Sequence, residues 1–283
     1  MFPESLQYHV AGGVNRFVNN LIESYAPLFD SISAGILTFL LGVHSVLAAI
    51  PWWAYMLGIF ILCRFFTKKL LSPAVLAALP FFIGMFGLWP MAVETLSVIV
   101  TAVMLALLFG LPLGVLMAEI KTVALVLRPI LDGMQTMPSF VYLIPAMMLF
   151  GLGKVPAVLA TLIYALPPVI RLTALGLNQV PESVEEAALA YGATRWQLLK
   201  EVRLPLAMPS ILAGVNQTTM MALAMVVISS MIGAKGLGQE VLLSINRIDV
   251  GRGFEAGMSV VFLAIVIDRL TQNLAKRWEP PQG

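Results

Sequence analysis

The chain alternates long apolar stretches with short charged ones. Residues 31–63, 70–93, 95–118, 133–153, 155–170 and 204–234 contain no Asp, Glu, Lys or Arg, and residues 256–267 form a shorter stretch of the same kind. A helix needs about 20 apolar residues to cross the roughly 30 Å hydrocarbon core of a bilayer. Residues 95–118 alone hold 13 Leu, Ile, Val or Phe; each contributes about −0.3 to −0.6 kcal/mol of insertion at mid-helix. The pattern predicts an all-α integral membrane protein with seven spans, centred near residues 53–62, 75–88, 96–117, 134–150, 157–170, 211–231 and 257–274.

The start of the chain reads differently. The uncharged run over residues 31–63 is 33 residues long, more than one span and less than two. Pro51-Trp52-Trp53 in its middle has the character of a break at a membrane interface. The expected organisation is therefore an outer or interfacial segment over residues 1–50, with a helix lying at the interface before Pro51. Accessory membrane helices follow over 51–90, a core transmembrane domain over 91–275 and a tail over 276–283.

Composition sharpens this picture by exclusion. Of 283 residues 59% are hydrophobic and 11% charged, and the mean hydropathy is +0.92. Soluble domains carry about a quarter of their residues as charges, so an ordinary soluble enzyme is ruled out. A formal charge of +2 is too small to imply a nucleic-acid partner. The single cysteine, Cys63, permits no internal disulfide and no thiolate metal cluster. Residues 1–20 show no basic region followed by an apolar core and a small-residue cleavage site, so no cleavable signal peptide is expected.

Lys and Arg accumulate in cytoplasmic loops near span ends. Alternate loops hold twelve basic residues (Arg64, Lys68, Lys69, Lys121, Arg128, Arg171, Arg195, Lys200, Arg203, Arg269, Lys276 and Arg277) against five (Arg16, Lys154, Lys235, Arg247 and Arg252). This predicts an outer N-terminus and a cytoplasmic C-terminus in the cytoplasmic (inner) membrane. The longest polar cytoplasmic segment is then residues 171–203.

Within it, Ser183-x-x-Glu186 and Thr194-x-x-Gln197 both have the form of a capping box, in which side chains satisfy the free N–H groups of a helix start. Gly192 can adopt the left-handed conformation that closes a helix. Two short helices are expected, one through Ala187 and Ala188 and one over Arg195 to Val202 that stops before Pro205. They form either a rigid knob that docks on a soluble partner or a solvated loop.

Glu186-Ala187-Ala188, three residues, Gly192, nine residues and Val202-Arg203-Leu204-Pro205 resemble the EAA loop of ABC importer permeases, E-A-A-x3-G-x9-I-x-L-P. Val202 in place of Ile is the one departure. In that family the loop is the coupling helix that seats in a groove of the ATPase subunit. The resemblance implies that role for Glu185, Glu186, Ala187, Ala188, Gly192, Leu204 and Pro205, with Glu185 and Glu186 offering charge to a basic groove. The likeness covers residues 91–272. It extends through Leu131 to Pro138, Phe140 to Pro145, Leu166-Pro167-Pro168, Ala213 to Thr218, Gly236-Leu237-Gly238 and Asp268 to Gln272. It is similar to the permeases of glycine betaine/proline importers and the related choline and carnitine systems. What the resemblance implies is a type I importer (MetI-like) fold, ATPase partners, an outer or periplasmic substrate-binding protein and a second copy of the permease.

Other chemistry is weakly supported. No phosphate-binding G-x4-G-K-[ST] loop occurs, so ATP hydrolysis is expected in a separate subunit, and no cofactor or metal is expected. His9 and His44 lack metal-ligand spacing, and Ser229-Ser230 has no neighbouring His to activate it. Glu94, Glu119, Asp132 and Asp268 fall at span edges, where a structural hydrogen bond or ion pair is expected instead of the mid-membrane relay of a coupled porter. An ATP-independent transporter of small amines and a membrane scaffold stay open as alternatives.

Pro112, Pro138, Pro145, Pro167, Pro168 and Pro209 read as gate bends or as packing irregularities. Asn216, Gln217, Thr218 and Thr219 read as pathway-lining or as cross-helix bonding groups. Tyr142, with Phe140 and Tyr164, could offer ring faces to a quaternary ammonium group or serve as packing.

Overall fold

A computed structural model describes residues 11–66 and 71–276, and the described residues are almost entirely helical, with no strand among them. His9, Lys68, Lys69, Arg277 and most of the expected tail lie outside the described residues. In chain order the helices are α1 (Ala11–Ala49), α2 (Trp52–Phe66), α3 (Leu71–Met85), α4 (Trp89–Glu119), α5 (Lys121–Thr136), α6 (Leu143–Phe150), α7 (Lys154–Asn178), α8 (Glu182–Ala190), α9 (Arg195–Gln197), α10 (Leu204–Ser229), α11 (Leu237–Arg247) and α12 (Val250–Lys276).

Among the described residues five helical stretches are long and apolar enough to cross a membrane: Ala11–Ala49, Trp89–Glu119, Lys154–Asn178, Arg195–Ile232 and Val250–Asn273. Trp52–Phe65, Leu71–Met85 and Ser139–Phe150 are apolar but shorter.

The centre is a triad of α4, α7 and α10. Lipid tails are as apolar as Leu, so helices in a bilayer associate through close packing of small residues more than through hydrophobic drive. Gly110 and Gly114, one turn apart on α4, face α7. A Cβ on Gly110 would stand 2.4 Å from Val169 Cγ1, and one on Gly114 would stand 2.6 Å from Thr173 Cβ and 2.9 Å from the Ile170 carbonyl oxygen. Between α7 and α10 a Cβ on Gly176 would stand 2.7 Å from Ser210 Cβ. Pro112, Pro167, Pro168 and Pro209 lie inside these helices, and each helix is continuous past them.

The remaining helices wrap this triad. Buried Ile59, Cys63, Leu76, Ala77 and Val266 pack α2 and α3 on α12. Gly238 lets α11 lie directly on the α10 backbone, where a Cβ would meet the Val226 carbonyl oxygen at 2.6 Å. Thr95 Oγ1 accepts from the Leu237 N–H at 2.8 Å and joins α11 to α4.

Two expectations change. Residues 134–150 do not form one span. Pro138 cannot donate to a helix and pushes Met137 into extended backbone (φ −70°, ψ 136°), so α5 stops at Thr136 and α6 starts after a 3-10 turn over Ser139–Tyr142. The segment before Pro51 is helical over Ala11–Ala49, two helices joined at a kink, and is long and apolar enough to cross a membrane where an interfacial helix is expected. It bends at Tyr25 (φ −121°, ψ 19°), where Pro27 removes the N–H that would bond Glu23. The break at Pro51 forms as expected, and the Tyr55 hydroxyl donates across it to the Leu47 carbonyl at 2.7 Å.

Candidate functional site

The ends of α4, α7 and α10 at Glu119, Asn178 and Leu204 carry a knob made of α8 and α9. Pro181 presets the backbone ahead of α8, and Glu182 and Glu185 in its first turn complement the positive pole of the helix. The helix closes in a Schellman motif. Gly192 takes φ +85°, its N–H donates to Leu189 and the Ala193 N–H donates to Ala188. Thr194 then starts α9 with a complete capping box, its Oγ1 accepting from the Gln197 N–H at 3.3 Å while Gln197 Oε1 accepts from the Thr194 N–H at 2.9 Å.

The expected box at Ser183 and Glu186 does not form, because the helix starts two residues earlier, with Pro181 as N-cap and no side-chain cap bond. Nor does the second helix stop before Pro205. A π-turn over Leu198–Arg203, with the Leu204 N–H reaching back to the Leu199 carbonyl, carries the chain directly into α10. Pro205 falls in the first turn of α10, where a missing N–H costs little.

The residues expected to couple divide by exposure. Glu186, Ala187 and Gly192 are exposed, Ala188 and Leu204 are half-buried, and Pro205 is exposed. Glu185 turns back toward the bundle, where its Oε1 lies 3.1 Å from Arg203 Nε, so its charge is engaged within the chain and Glu186 is the one presented outward. Arg203 also donates through Nη1 to Glu119 at the end of α4 and through Nη2, at 3.2 Å, to the Leu177 carbonyl near the end of α7. Tyr191 is 94% exposed and Trp196 68%, far more than side chains packed within a fold. Tyr191, Trp196, Arg203 and Glu119 are functional candidates that sequence reasoning missed. Two aromatic residues in a charged loop were a readable signal; the partners of Arg203 were not.

The four expected pathway residues do not come together. Tyr142 is buried, donates to the Met134 carbonyl and meets Tyr164 edge-on at 6.0 Å. Asn216 bonds across to α12, donating to Asp268 Oδ1 at 3.2 Å and accepting from Thr271. Thr218 is fully buried. Gln217 alone faces open space, a cleft of about 530 Å³ that also takes in Arg128, Asp132, Gln135, Arg171 and Asn178.

The acidic residues at the span edges are paired. Glu94 Oε2 accepts from Lys154 Nζ at 2.6 Å, and Asp132 accepts from Arg171. Gln272 donates to Asp268 at 2.8 Å. His44 Nδ1 lies 3.2 Å from Ser97 Oγ, the ordinary polar contact expected of it.

Residues 110–280 match the family of binding-protein-dependent transport system inner membrane components, and the chain belongs to that family: it is a membrane permease subunit. Among its relatives, it is 43% identical over 263 residues to the glycine betaine/proline betaine transport system permease protein ProW of Escherichia coli strain K12, covering 93% of this chain and 74% of that one. It is 39% identical to the glycine betaine transport system permease protein OpuAB of Bacillus subtilis strain 168, covering 92% of each. The fold resembles that of the methionine ABC transporter MetNI in an inward-facing conformation, with TM-score 0.60 at 22% identity over 69% of this chain and 98% of that one.

Proposed function

We propose that this chain forms the translocation pathway of an ATP-driven importer for compatible solutes, with glycine betaine, proline betaine or proline as cargo and choline or carnitine as related cargoes. Sequence identity to permeases named for glycine betaine and proline betaine supports the cargo. The observation that carries the coupling role is the knob, two short helices locked by a Schellman closure and a capping box, with Glu186, Tyr191 and Trp196 facing outward. Apolar and aromatic side chains exposed beside the Glu182 and Glu186 carboxylates suit a groove with basic residues.

In this reading the knob docks in an ATPase subunit, a second permease copy supplies the second knob, and an outer binding protein delivers the solute. The excess of basic residues on the knob side supports a cytoplasmic C-terminus. Ala11–Ala49 is long and apolar enough to cross the membrane and packs Leu40 against Val98, Ala102 and Val158, which supports reading it as a further span in place of the outer segment expected there. Pairing of the span-edge carboxylates argues against an ion-coupled porter.

Uptake of labelled glycine betaine into vesicles holding the permease, its ATPase and its binding protein, with and without ATP, tests this. ATP-dependent uptake that excess unlabelled proline or choline suppresses is the expected result. Uptake indifferent to ATP would identify a porter instead, and absence of uptake with the ATPase bound would reject the cargo.

A further inference from the structure

We infer that Arg203 is the positioning residue that makes the knob and the membrane triad move as one body. Its guanidinium has three nitrogens, and each meets a different helix. Nη1 donates to Glu119 on α4 and Nη2 to the Leu177 carbonyl on α7 at 3.2 Å, while Nε lies 3.1 Å from Glu185 on α8, an ion pair without hydrogen-bond geometry. Arg203 itself sits in the π-turn that opens into α10. Four elements therefore converge on one side chain, whose own exposure is only 14%.

A guanidinium is planar and its donors are fixed relative to one another. Displacement of α8 must then either carry α4, α7 and α10 with it or separate the Glu185–Arg203 ion pair. A lysine ammonium, a point charge on a flexible stem, cannot hold three partners in one plane. Among the described residues the knob otherwise joins the bundle through the backbone of residues 179–181 and through the π-turn, whose Leu199 packs on Leu177, Ala207 and Ile211. The inference rests on the coupling role proposed above and goes beyond it by naming the residue that carries the displacement.

The test uses vesicles containing the permease with its ATPase and binding protein, and reads three quantities: ATPase retained by the permease, ATP hydrolysed, and labelled glycine betaine imported per ATP. Arg203→Gln is expected to retain the ATPase while import per ATP falls about tenfold. Arg203→Lys should recover only a small part of the loss. Glu185→Gln, which leaves the Arg203 bonds to Glu119 and Leu177 in place, should lower the ratio about threefold.

A wild-type ratio in both Arg203→Gln and Glu185→Gln would overturn the inference. Should Arg203→Gln shed the ATPase or fail to insert, Glu185→Gln decides: a lowered ratio supports the role and an unchanged one removes it. Wild-type vesicles that bind the ATPase yet show no ATP-dependent uptake would defeat the importer reading, and this inference with it, before any variant is compared.

Discussion

The triad of α4, α7 and α10 and the knob of α8 and α9 are adjacent, yet different forces hold them. At Gly110, Gly114 and Gly176 the triad has no room for one additional carbon; backbone and β-carbons line the gaps at Gly114 and Gly176, and Val169 Cγ1 fills the one at Gly110. The knob has open space around Gly192 and no buried residue in α8 or α9. It keeps its shape through local backbone closures and joins the triad through Arg203. Contact packing serves the region that lipid surrounds, where apolar burial gains little. Directional bonds serve the region outside it, and such a body can be displaced as a unit without repacking a core.

The strongest challenge to this contrast is Gly114→Val. Its Cβ would meet Thr173 Cβ and the Ile170 carbonyl, and backbone cannot give way cheaply, so the expected loss is about 3 kcal/mol. Thermal unfolding of the purified permease in detergent would register it, and an unaltered midpoint would mean that α4 and α7 are not in close contact.

A smaller effect is expected at the opposite end of the triad, where Glu94 and Lys154 make an ion pair of 2.6 Å with each side chain 24% exposed. Glu94→Gln deprives Lys154 of its anion and should cost about 1–2 kcal/mol. Comparison with Lys154→Gln and the double variant isolates the pair. A loss as large as that of Gly114→Val would show that the triad depends on charge as much as on packing.

The smallest concerns the knob alone. Gly192→Ala meets no atom within 4 Å, so only the left-handed backbone at φ +85° resists it, at about 1 kcal/mol. Capture of the ATPase by the permease should weaken while the unfolding midpoint of the bundle stays in place. A shifted midpoint would show that knob and triad unfold together.

Much of this architecture was legible before any coordinates. Runs of uncharged residues marked α4, α7 and α10, and Thr194-x-x-Gln197 marked the start of α9. Gly192 marked the end of α8 and Pro51 the end of α1. The misreadings share a cause. Ser183 resembled a cap residue, yet extended Pro181 had already taken the cap position two residues earlier. Pro205 resembled a stop, yet a π-turn absorbed it. In each case one local signal competed with another a few residues away, and the pattern alone did not rank them.

Sequence by itself determined that the protein crosses a membrane, where α4, α7 and α10 fall and that it displays a capped knob, because hydropathy, caps and closures act over a turn or two of helix. Only tertiary structure decided that Glu185 faces inward, that Asn216 bonds to Asp268 and Thr271 on α12, and that Arg203 gathers Glu119 and Leu177. Those partners stand 84 and 26 positions from Arg203 along the chain. Helix packing, set by where glycine allows two backbones to approach, brings them within reach, and nothing in the local pattern around Arg203 encodes that approach.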